Sequence, residues 1–343
     1  MEPLTHVLTG ACMSRVGLNR ATSLATAVLV VSAEIPDVDV LLLLGGPVLG
    51  FAHHRGFTHT LLGAPFNAAL ALALVYGGYR LLLAAGRKPP TPPRWKLLFL
   101  YGILGSLSHM LLDFTNSYGV RPFAPFSNRW YSWDIVHIVE PLILIALIAG
   151  LALPSLFALI QEEVTSQRVA HRGRGGAIFA LTCLGLICFV RDFQHRKAVA
   201  ALDSRIYQGA EPLRVSAYPY PINPFRWHGV VETETFYEAL PVDSRSPEID
   251  SDDLAITRYK PEETPAIKAA KESDLGRVYM AWAQYPVLEA EPLDGGQGGY
   301  LVRFYDLRYL YPDRETPALT ASLELDSHLN VIAEGFGNRV RRR

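Results

Sequence analysis

The chain has 343 residues, of which 50% are hydrophobic and 19% are charged, and this length is sufficient for two domains. The formal net charge is −1, which argues against a strongly basic chain that binds nucleic acid, so we expect no nucleic-acid partner. The three cysteines all lie in apolar stretches, which excludes a disulfide framework in the polar part of the chain.

The apolar residues are concentrated in the first part of the chain. Residues 21–190 are dominated by long apolar runs, whereas the sequence from residue 191 onward alternates short apolar and polar runs. We therefore predict a membrane-embedded, all-α helical bundle at residues 1–190. A small soluble domain, mostly β or α+β, is predicted to follow at residues 191–343.

Two kinds of helical segment are predicted in the bundle. The segments Leu4–Val16 and Thr22–Ala33 are each too short to cross a membrane and together predict a helical hairpin. Four longer runs come close to the length that a membrane span needs, about 20 apolar residues. They are Thr58–Tyr79, Leu97–Leu112, Pro141–Ile160 and Gly175–Val190.

Basic residues mark one side of this predicted bundle. Ten of them lie in or beside alternate connections, whereas the opposite connections carry three. The positive-inside rule places the ten in the cytoplasm. We therefore expect a multi-pass protein of a bacterial-type inner (cytoplasmic) membrane, with an extracytoplasmic C-terminal domain. The ten are Arg15, Arg20, Arg80, Arg87, Lys88, Arg94, Lys96, Arg168, Arg172 and Arg174.

In the C-terminal region the alternation of apolar and polar residues predicts β-strands. The glycine-rich stretch Gly295–Gly299 predicts a hairpin connection. The sequence contains neither an internal repeat nor a nucleotide-binding glycine motif. The predicted strands are Val230–Tyr237, Arg277–Gln284, Tyr300–Tyr305 and Leu319–Leu325.

Carboxylates and histidines follow the predicted hairpin. Asp37 and Asp39 come directly after an apolar helix, where carboxylates are costly and tend to be functional, although Asp37 also suits a helix cap. The string His53-His54-Arg55-Gly56-Phe57-Thr58-His59-Thr60 then opens the next span. Imidazole is a common zinc ligand and the guanidinium of Arg55 suits an anion, so this string predicts either a metal and substrate site or an interfacial polar cluster.

A second group of ligands lies further along the chain. His109 and Asp113 are four residues apart and therefore share one helical face, which suits either a two-ligand unit or a histidine held by its neighbouring carboxylate. Asp134, His137 and Glu140 surround the start of the following span.

Under the expected topology these groups, with His6, fall at one membrane face. Burying them unpaired would be costly, whereas divalent metal ions would offset the carboxylate charge. We therefore predict a site for two or three ions, with zinc as the preferred metal. The candidate ligands are His6, Asp37, Asp39, His54, His59, His109, Asp113, Asp134 and Glu140.

The order of these motifs over roughly residues 1–160 resembles the YdjM-like family of inner-membrane proteins. The string from His54 to Thr60 is its most specific part, supported by Pro36-Asp37-Val38-Asp39 and by His109 with Asp113. The resemblance implies a metal-dependent hydrolase, similar in turn to zinc-dependent phospholipase C and the single-strand nucleases. The ligand pattern of those all-α proteins includes His-x-x-x-Asp and a later His-x-x-x-Glu or Asp, and His137 and Glu140 are one residue too close for the second unit.

These observations predict a membrane-bound hydrolase that cleaves a phosphoester, lipid-derived substrates included, through a metal-activated water. Asp39 is the candidate general base and Arg55 the candidate group that binds the substrate anion. The expected partners are membrane lipids and this anionic substrate. The alternative is a non-catalytic scaffold or binding protein with a structural metal site. A transporter is disfavoured because the polar residues collect at one end of the predicted bundle.

Overall fold

A computed structural model of the chain describes residues 1–165, 173–246, 255–293, 298–311, 317–337 and 341–342. It contains a helical N-terminal region and a C-terminal domain with two antiparallel β-sheets, which confirms the predicted fold class. The chain divides into two compact units. The first comprises residues 1–39 and 55–192, and the second comprises residues 40–54 and 193–343.

The predicted hairpin consists of helices α1 (Pro3–Arg15) and α2 (Ala25–Ser32). The carboxylate of Glu2 caps α1 by accepting a hydrogen bond of 2.9 Å from the backbone N–H of Thr5. A Cβ atom at Gly10 would lie 2.6 Å from the carbonyl oxygen of Leu29. Glycine at this position therefore allows α1 and α2 to pack backbone against backbone.

Among the described residues, four helices are long and apolar enough to cross a membrane. They are α4 (Gly63–Ala84), α5 (Trp95–Phe114), α6 (Pro141–Thr165, with its apolar part at Pro141–Ala158) and α7 (Arg174–Asp203). Each overlaps one of the four runs predicted as spans. Large apolar side chains stay exposed on them, as expected for surfaces that face lipid; Leu81 is 73% exposed. Two of the ten basic residues, Arg168 and Arg172, lie outside the described residues.

The connections between helices carry most of the polar residues predicted as ligands. Between α2 and α4 the chain passes through a 3-10 helix at Ile35–Gly45, helix α3 at Pro47–His53 and a 3-10 turn at Phe57–His59. An irregular segment of residues 115–140 joins α5 to α6. Its apolar residues Ile135 and Val136 are fully buried in the cluster that packs α1, α5, α6 and α7 together.

The second unit contains the two sheets and two short helices, α8 (Pro265–Glu272) and α9 (Asp274–Trp282). The sheets have the strand orders β1-β2-β3-β4 and β5-β6-β7-β8-β9, with all neighbours antiparallel. The strands of the first sheet are β1 (Arg214–Pro219), β2 (Arg226–Glu232), β3 (Phe236–Asp243) and β4 (Ile256–Tyr259). Those of the second are β5 (Pro286–Leu293), β6 (Gly299–Asp306), β7 (Ala321–Leu325), β8 (Val331–Phe336) and β9 (Arg341–Arg342).

One predicted strand is wrong, because Arg277–Gln284 lies mostly within helix α9. The hydroxyl of Ser273 caps this helix by accepting a hydrogen bond of 2.9 Å from Gly276 N–H. The buried residues Leu275, Tyr279 and Trp282 repeat at helical spacing, which outweighs the β propensity of the aromatic side chains.

The other strand predictions agree more closely with the structure. The runs Tyr300–Tyr305 and Leu319–Leu325 overlap β6 and β7, and Val230–Tyr237 covers the end of β2 and the start of β3. The predicted glycine-rich connection lies between the paired strands β5 and β6, and its residues 295–297 are outside the described part of the chain.

Candidate metal centre

Four side chains from three separate segments of the first unit converge on one point. Asp37 comes from the 3-10 helix after α2, His59 from the short turn before α4, and His109 and Asp113 from the end of α5. One ligand atom from each lies within 4.8 Å of all the others, so the group could hold a metal ion. The two histidines and Asp113 are buried, and Asp37 is the partly exposed member, with 23% of its side chain accessible.

The spacing of these ligand atoms fits coordination of a single ion. The Nε2 atoms of His59 and His109 are 3.1 Å apart, and Asp37 Oδ1 lies 3.3 and 3.4 Å from them. Asp113 Oδ2 lies 3.5 and 3.6 Å from the same two nitrogens. Ligand atoms held about 2.05 Å from a tetrahedral zinc ion are about 3.3 Å from one another. The four side chains therefore fit a small divalent cation.

Hydrogen bonds on the far side of each imidazole fix which nitrogen faces the cluster. His109 Nδ1 lies 2.7 Å from the carbonyl oxygen of Ala33, and His59 Nδ1 lies 3.2 Å from Asp39 Oδ2. Both partners are acceptors, so both Nδ1 atoms donate and a neutral ring presents its Nε2 lone pair to the cluster. Metal-ligating histidines are commonly held in this way. Two lone pairs and two carboxylates then face each other, and a cation is their natural complement.

Glu34 is a titratable group that the sequence did not single out as a site residue. Its burial, reinforced by the negative charges of Asp37 and Glu2, raises the pKa of Glu34 to about 7. Its Oε2 atom is buried and has no hydrogen-bond partner within the described part of the chain. The sequence feature that could have indicated Glu34 was its place at the start of the run Glu34–Asp39, three residues before Asp37.

Asp39 lies behind His59, outside the four-residue cluster. Its Oδ2 atom accepts hydrogen bonds of 2.8 Å from the backbone N–H of Arg55 and 3.3 Å from the hydroxyl of Thr58, in addition to the contact with His59 Nδ1. The structure thus places this carboxylate where it orients a ligand, and its roles as ligand and as general base stay predictions.

Arg55 is buried and its guanidinium contacts the cluster directly. Its Nε atom lies 2.9 Å from Asp113 Oδ2, and Nη1 donates to the carbonyl of Gly119 at 2.9 Å and to Asn116 Oδ1 at 3.2 Å. The guanidinium also lies over the ring of Tyr118. Arg55 adopts a φ of 51°, a left-handed conformation that is uncommon for residues with a side chain. These contacts orient Asp113, and binding of a substrate anion by Arg55 stays a prediction.

His6 lies against the cluster from α1. Its ring stacks on that of His109 with 3.7 Å between the centroids, and its Nε2 atom is 3.4 Å from Asp113 Oδ1. Both ring nitrogens are buried and neither has a hydrogen-bond partner among the described residues. The backbone nitrogen of Met1 also contacts Asp113 Oδ1. Asp113 therefore presents one oxygen to His59 and His109 and the other to His6.

Three further predicted ligands are not members of the four-residue cluster. Glu140 forms a buried ion pair of 2.5 Å with Arg191. Asp134 lies in the segment before α6, with a φ of 59°. His54 follows α3 and is grouped with residues 40–54 in the second compact unit.

Some of the supporting contacts were not predicted from the sequence. Asn116 is fully buried and accepts hydrogen bonds from Arg55 and from the backbone N–H of Tyr118. Its place three residues after Asp113 was a weak signal of this role. The contact of the Ala33 carbonyl with His109 could not be predicted from the sequence, because every residue at this position has the same carbonyl oxygen.

Comparisons with known proteins cover the helical first unit completely. The chain is 25% identical over 321 residues to the uncharacterized protein YfhP of Bacillus subtilis (strain 168), which covers 90% of this chain and 87% of that protein. No solved structure matches the chain. The family model described as YdjM inner membrane protein matches residues 1–198, more than half of the chain. With its four apolar helices, the chain is a membrane protein, and it belongs to the YdjM inner membrane protein family.

Proposed function

We propose that this protein is a membrane-bound, metal-dependent hydrolase that cleaves a phosphoester. The observation that carries the proposal is the meeting of four acceptor atoms from Asp37, His59, His109 and Asp113 at tetrahedral spacing. Two imidazoles and two carboxylates suit zinc best among the common divalent metals. When bound, the metal would lower the pKa of a water molecule and polarise an ester oxygen.

We propose that a second ion binds beside the first, between His6 and the other oxygen of Asp113, where it would replace the contact of that oxygen with the Met1 nitrogen. His6 is fully buried beside a carboxylate, its ring nitrogens make no hydrogen bond within the described residues, and a cation would satisfy it. Because Asp113 faces both positions, it would be shared between them. Fewer protein ligands would hold the second ion, so coordination positions on it would stay open to water and substrate.

The residues around the ligands have positioning roles in this proposal. Asp39 fixes the ring of His59, and Arg55 fixes Asp113 while neutralising part of the local negative charge. Contacts of this kind raise metal affinity and hold the ligands in place before substrate arrives.

An apolar groove along α5, the helix that carries His109 and Asp113, favours a lipid-derived substrate. The groove has a volume of about 390 Å³ and is bounded by α5 and by residues 120–131. Met110 and Leu111 line it and follow the ligand His109 directly in α5. The hydrogen bond of 3.0 Å from Leu61 N–H to the carbonyl of Pro122 ties its two rims together. A single acyl chain suits a groove of this volume and apolar lining.

We also propose that the protein is a multi-pass protein of the inner membrane, with the metal centre and the C-terminal domain extracytoplasmic. The support is the separation, within the first unit, of the metal-site residues from the basic residues of the connections. The site residue His6 lies near the start of α1 and Arg15 at its end, about 14 Å further along the helix axis. A reporter enzyme that is active only outside the cytoplasm, fused after Arg343, should be active; inactivity with full expression would contradict this orientation.

A non-catalytic protein with a structural metal site is the second candidate. It is favoured by the number of ligands, because four protein side chains can fill a tetrahedral zinc site completely. In that case the metal would stabilise the bundle without turnover.

Hydrolysis assays on metal-depleted and zinc-restored full-length protein separate the two candidates. We expect zinc-dependent cleavage of phospholipid vesicles or of a chromogenic phosphodiester, lost in Asp37→Asn and retained in Asp203→Asn, an exposed carboxylate on α7. Zinc that binds and raises thermal stability without cleavage of any phosphoester tested would favour the structural role.

A further inference from the structure

The end of the first unit that carries Arg15 contains a cavity of about 270 Å³. It lies among the end of α1, the 3-10 turn Leu18–Arg20, α6 near Ser155 and the start of α7. Three arginines line it, namely Arg15, Arg20 and Arg174. It is distinct from the metal centre, which lies near His6 at the opposite end of α1.

The charge of this cavity is uncompensated within the described residues. Within the described residues, none of its three arginines forms an ion pair with a carboxylate. Arg15 contacts a neutral group instead, because its guanidinium donates a hydrogen bond of 2.8 Å to the carbonyl oxygen of Leu151. Asn19 and Ser155 are the other polar side chains that line it. Three like charges around one small cavity favour an anion as the ligand.

The backbone adds to this preference. Arg174 is the first residue of α7, so the amides of the first turn, which lack acceptors within the helix, open at the cavity. The same helix end carries the positive end of the helix dipole. A Cβ atom at Gly176 would overlap the carbonyl of Gly150, so this glycine lets α7 start close against α6.

The position of the cavity identifies the source of the anion. It is lined by Pro154 and Ser155, close to the end of the apolar part of α6 at Ala158, and by Arg174 at the start of α7. Because both helices are long and apolar enough to span a membrane, we expect the cavity to lie at headgroup depth. Basic pockets between membrane helices commonly hold the phosphates of anionic lipids. We propose that this cavity binds the phosphate of an anionic membrane phospholipid through Arg15, Arg20 and Arg174, independently of the hydrolase activity proposed above.

Binding of a fluorescent phosphatidylglycerol to the full-length protein in uncharged detergent tests this site. The test variant is Arg15→Gln/Arg20→Gln/Arg174→Gln, and the control is Arg80→Gln/Arg87→Gln/Lys88→Gln, which removes three charges around the end of α4. We expect the first variant to weaken binding about tenfold or more, the control to weaken it less than about twofold, and phosphatidylcholine not to compete.

Two outcomes would overturn the proposal. Equal weakening in the two triple variants would show general attraction of basic residues, and equal competition by inorganic phosphate and unlabelled phosphatidylglycerol would exclude the lipid as the specific ligand. Because Arg15 also supports α6, the double variant Arg20→Gln/Arg174→Gln keeps that contact and should still weaken binding by several fold. An unchanged metal content in each variant reports that the bundle is intact.

Discussion

His59 Nε2 and His109 Nε2 lie 3.1 Å apart, although the other nitrogen of each ring already faces an oxygen acceptor. Two neutral imidazoles in this arrangement oppose their lone pairs, and the carboxylates of Asp37 and Asp113 face the same point. A divalent cation would turn this unfavourable meeting of acceptors into four ligand bonds. Such binding would account for the burial of so many polar groups at one end of an apolar bundle.

Replacement of Asp39 by Asn should weaken zinc binding without removing a ligand of the cluster. The amide lacks the negative charge that holds His59 Nδ1–H, and changes of this kind reduce metal affinity about 10–100-fold. Competition with a chromogenic chelator measures the affinity, with Asp203→Asn as the matched control. An affinity equal to that of the unaltered protein would mean that Asp39 does not position His59.

Replacement of Glu140 by Leu should destabilise the bundle and leave the metal content unchanged. Glu140 compensates the buried charge of Arg191, and breaking such a pair costs about 3–5 kcal/mol of unfolding free energy. Thermal unfolding in detergent measures the loss, and Glu140→Leu/Arg191→Met should recover most of it. Loss of metal in the single variant would instead support Glu140 as a ligand, as the sequence predicts.

Replacement of Arg55 by Lys should lower both thermal stability and metal affinity, although the charge is kept. An ammonium group cannot reproduce the simultaneous contacts of the guanidinium with Asp113, Asn116 and Gly119. Calorimetry of the zinc-loaded protein and chelator competition measure the two effects. If Arg55 served substrate binding alone, the variant would show a raised KM with unaltered metal affinity and stability.

Replacement of Leu111 by Gln in the apolar groove should change substrate preference if the groove holds an acyl chain. Leu111 is 60% exposed and lines the groove, so the polar amide disfavours an apolar chain there while the fold is retained. We expect kcat/KM to fall several-fold for a long-chain phospholipid and to stay constant for a water-soluble phosphodiester. An equal fall for both substrates would contradict the assigned occupant.

Local patterns in the sequence were sufficient for the helical region and for part of the site. Apolar length identified α4, α5, α6 and α7, and the four-residue spacing of His109 and Asp113 placed both on one face. Strand prediction failed at Arg277–Gln284, where helical burial of Leu275 and Tyr279 outweighed aromatic β propensity.

Contacts between distant segments could not be read from the sequence. The sequence predicts Glu140 as a ligand because it shows a carboxylate near a histidine. It does not show the ion pair of Glu140 with Arg191, 51 residues away. Asp37 and Asp39 look equivalent in the sequence. Only the fold shows that Asp39 lies at Nδ1 of His59, behind the ring, and that Asp37 lies at Nε2, in the cluster.

The metal content of the purified full-length protein tests the central claim most directly. Elemental analysis should find at least about one zinc ion per chain in the unaltered protein, because its donor set suits a tightly held ion. It should find almost none in His59→Ala/His109→Ala, whereas His328→Ala, which removes an exposed histidine from the second unit, should retain the full amount. Metal retained by a folded His59→Ala/His109→Ala variant at the level of the unaltered protein would contradict the assignment of the metal centre.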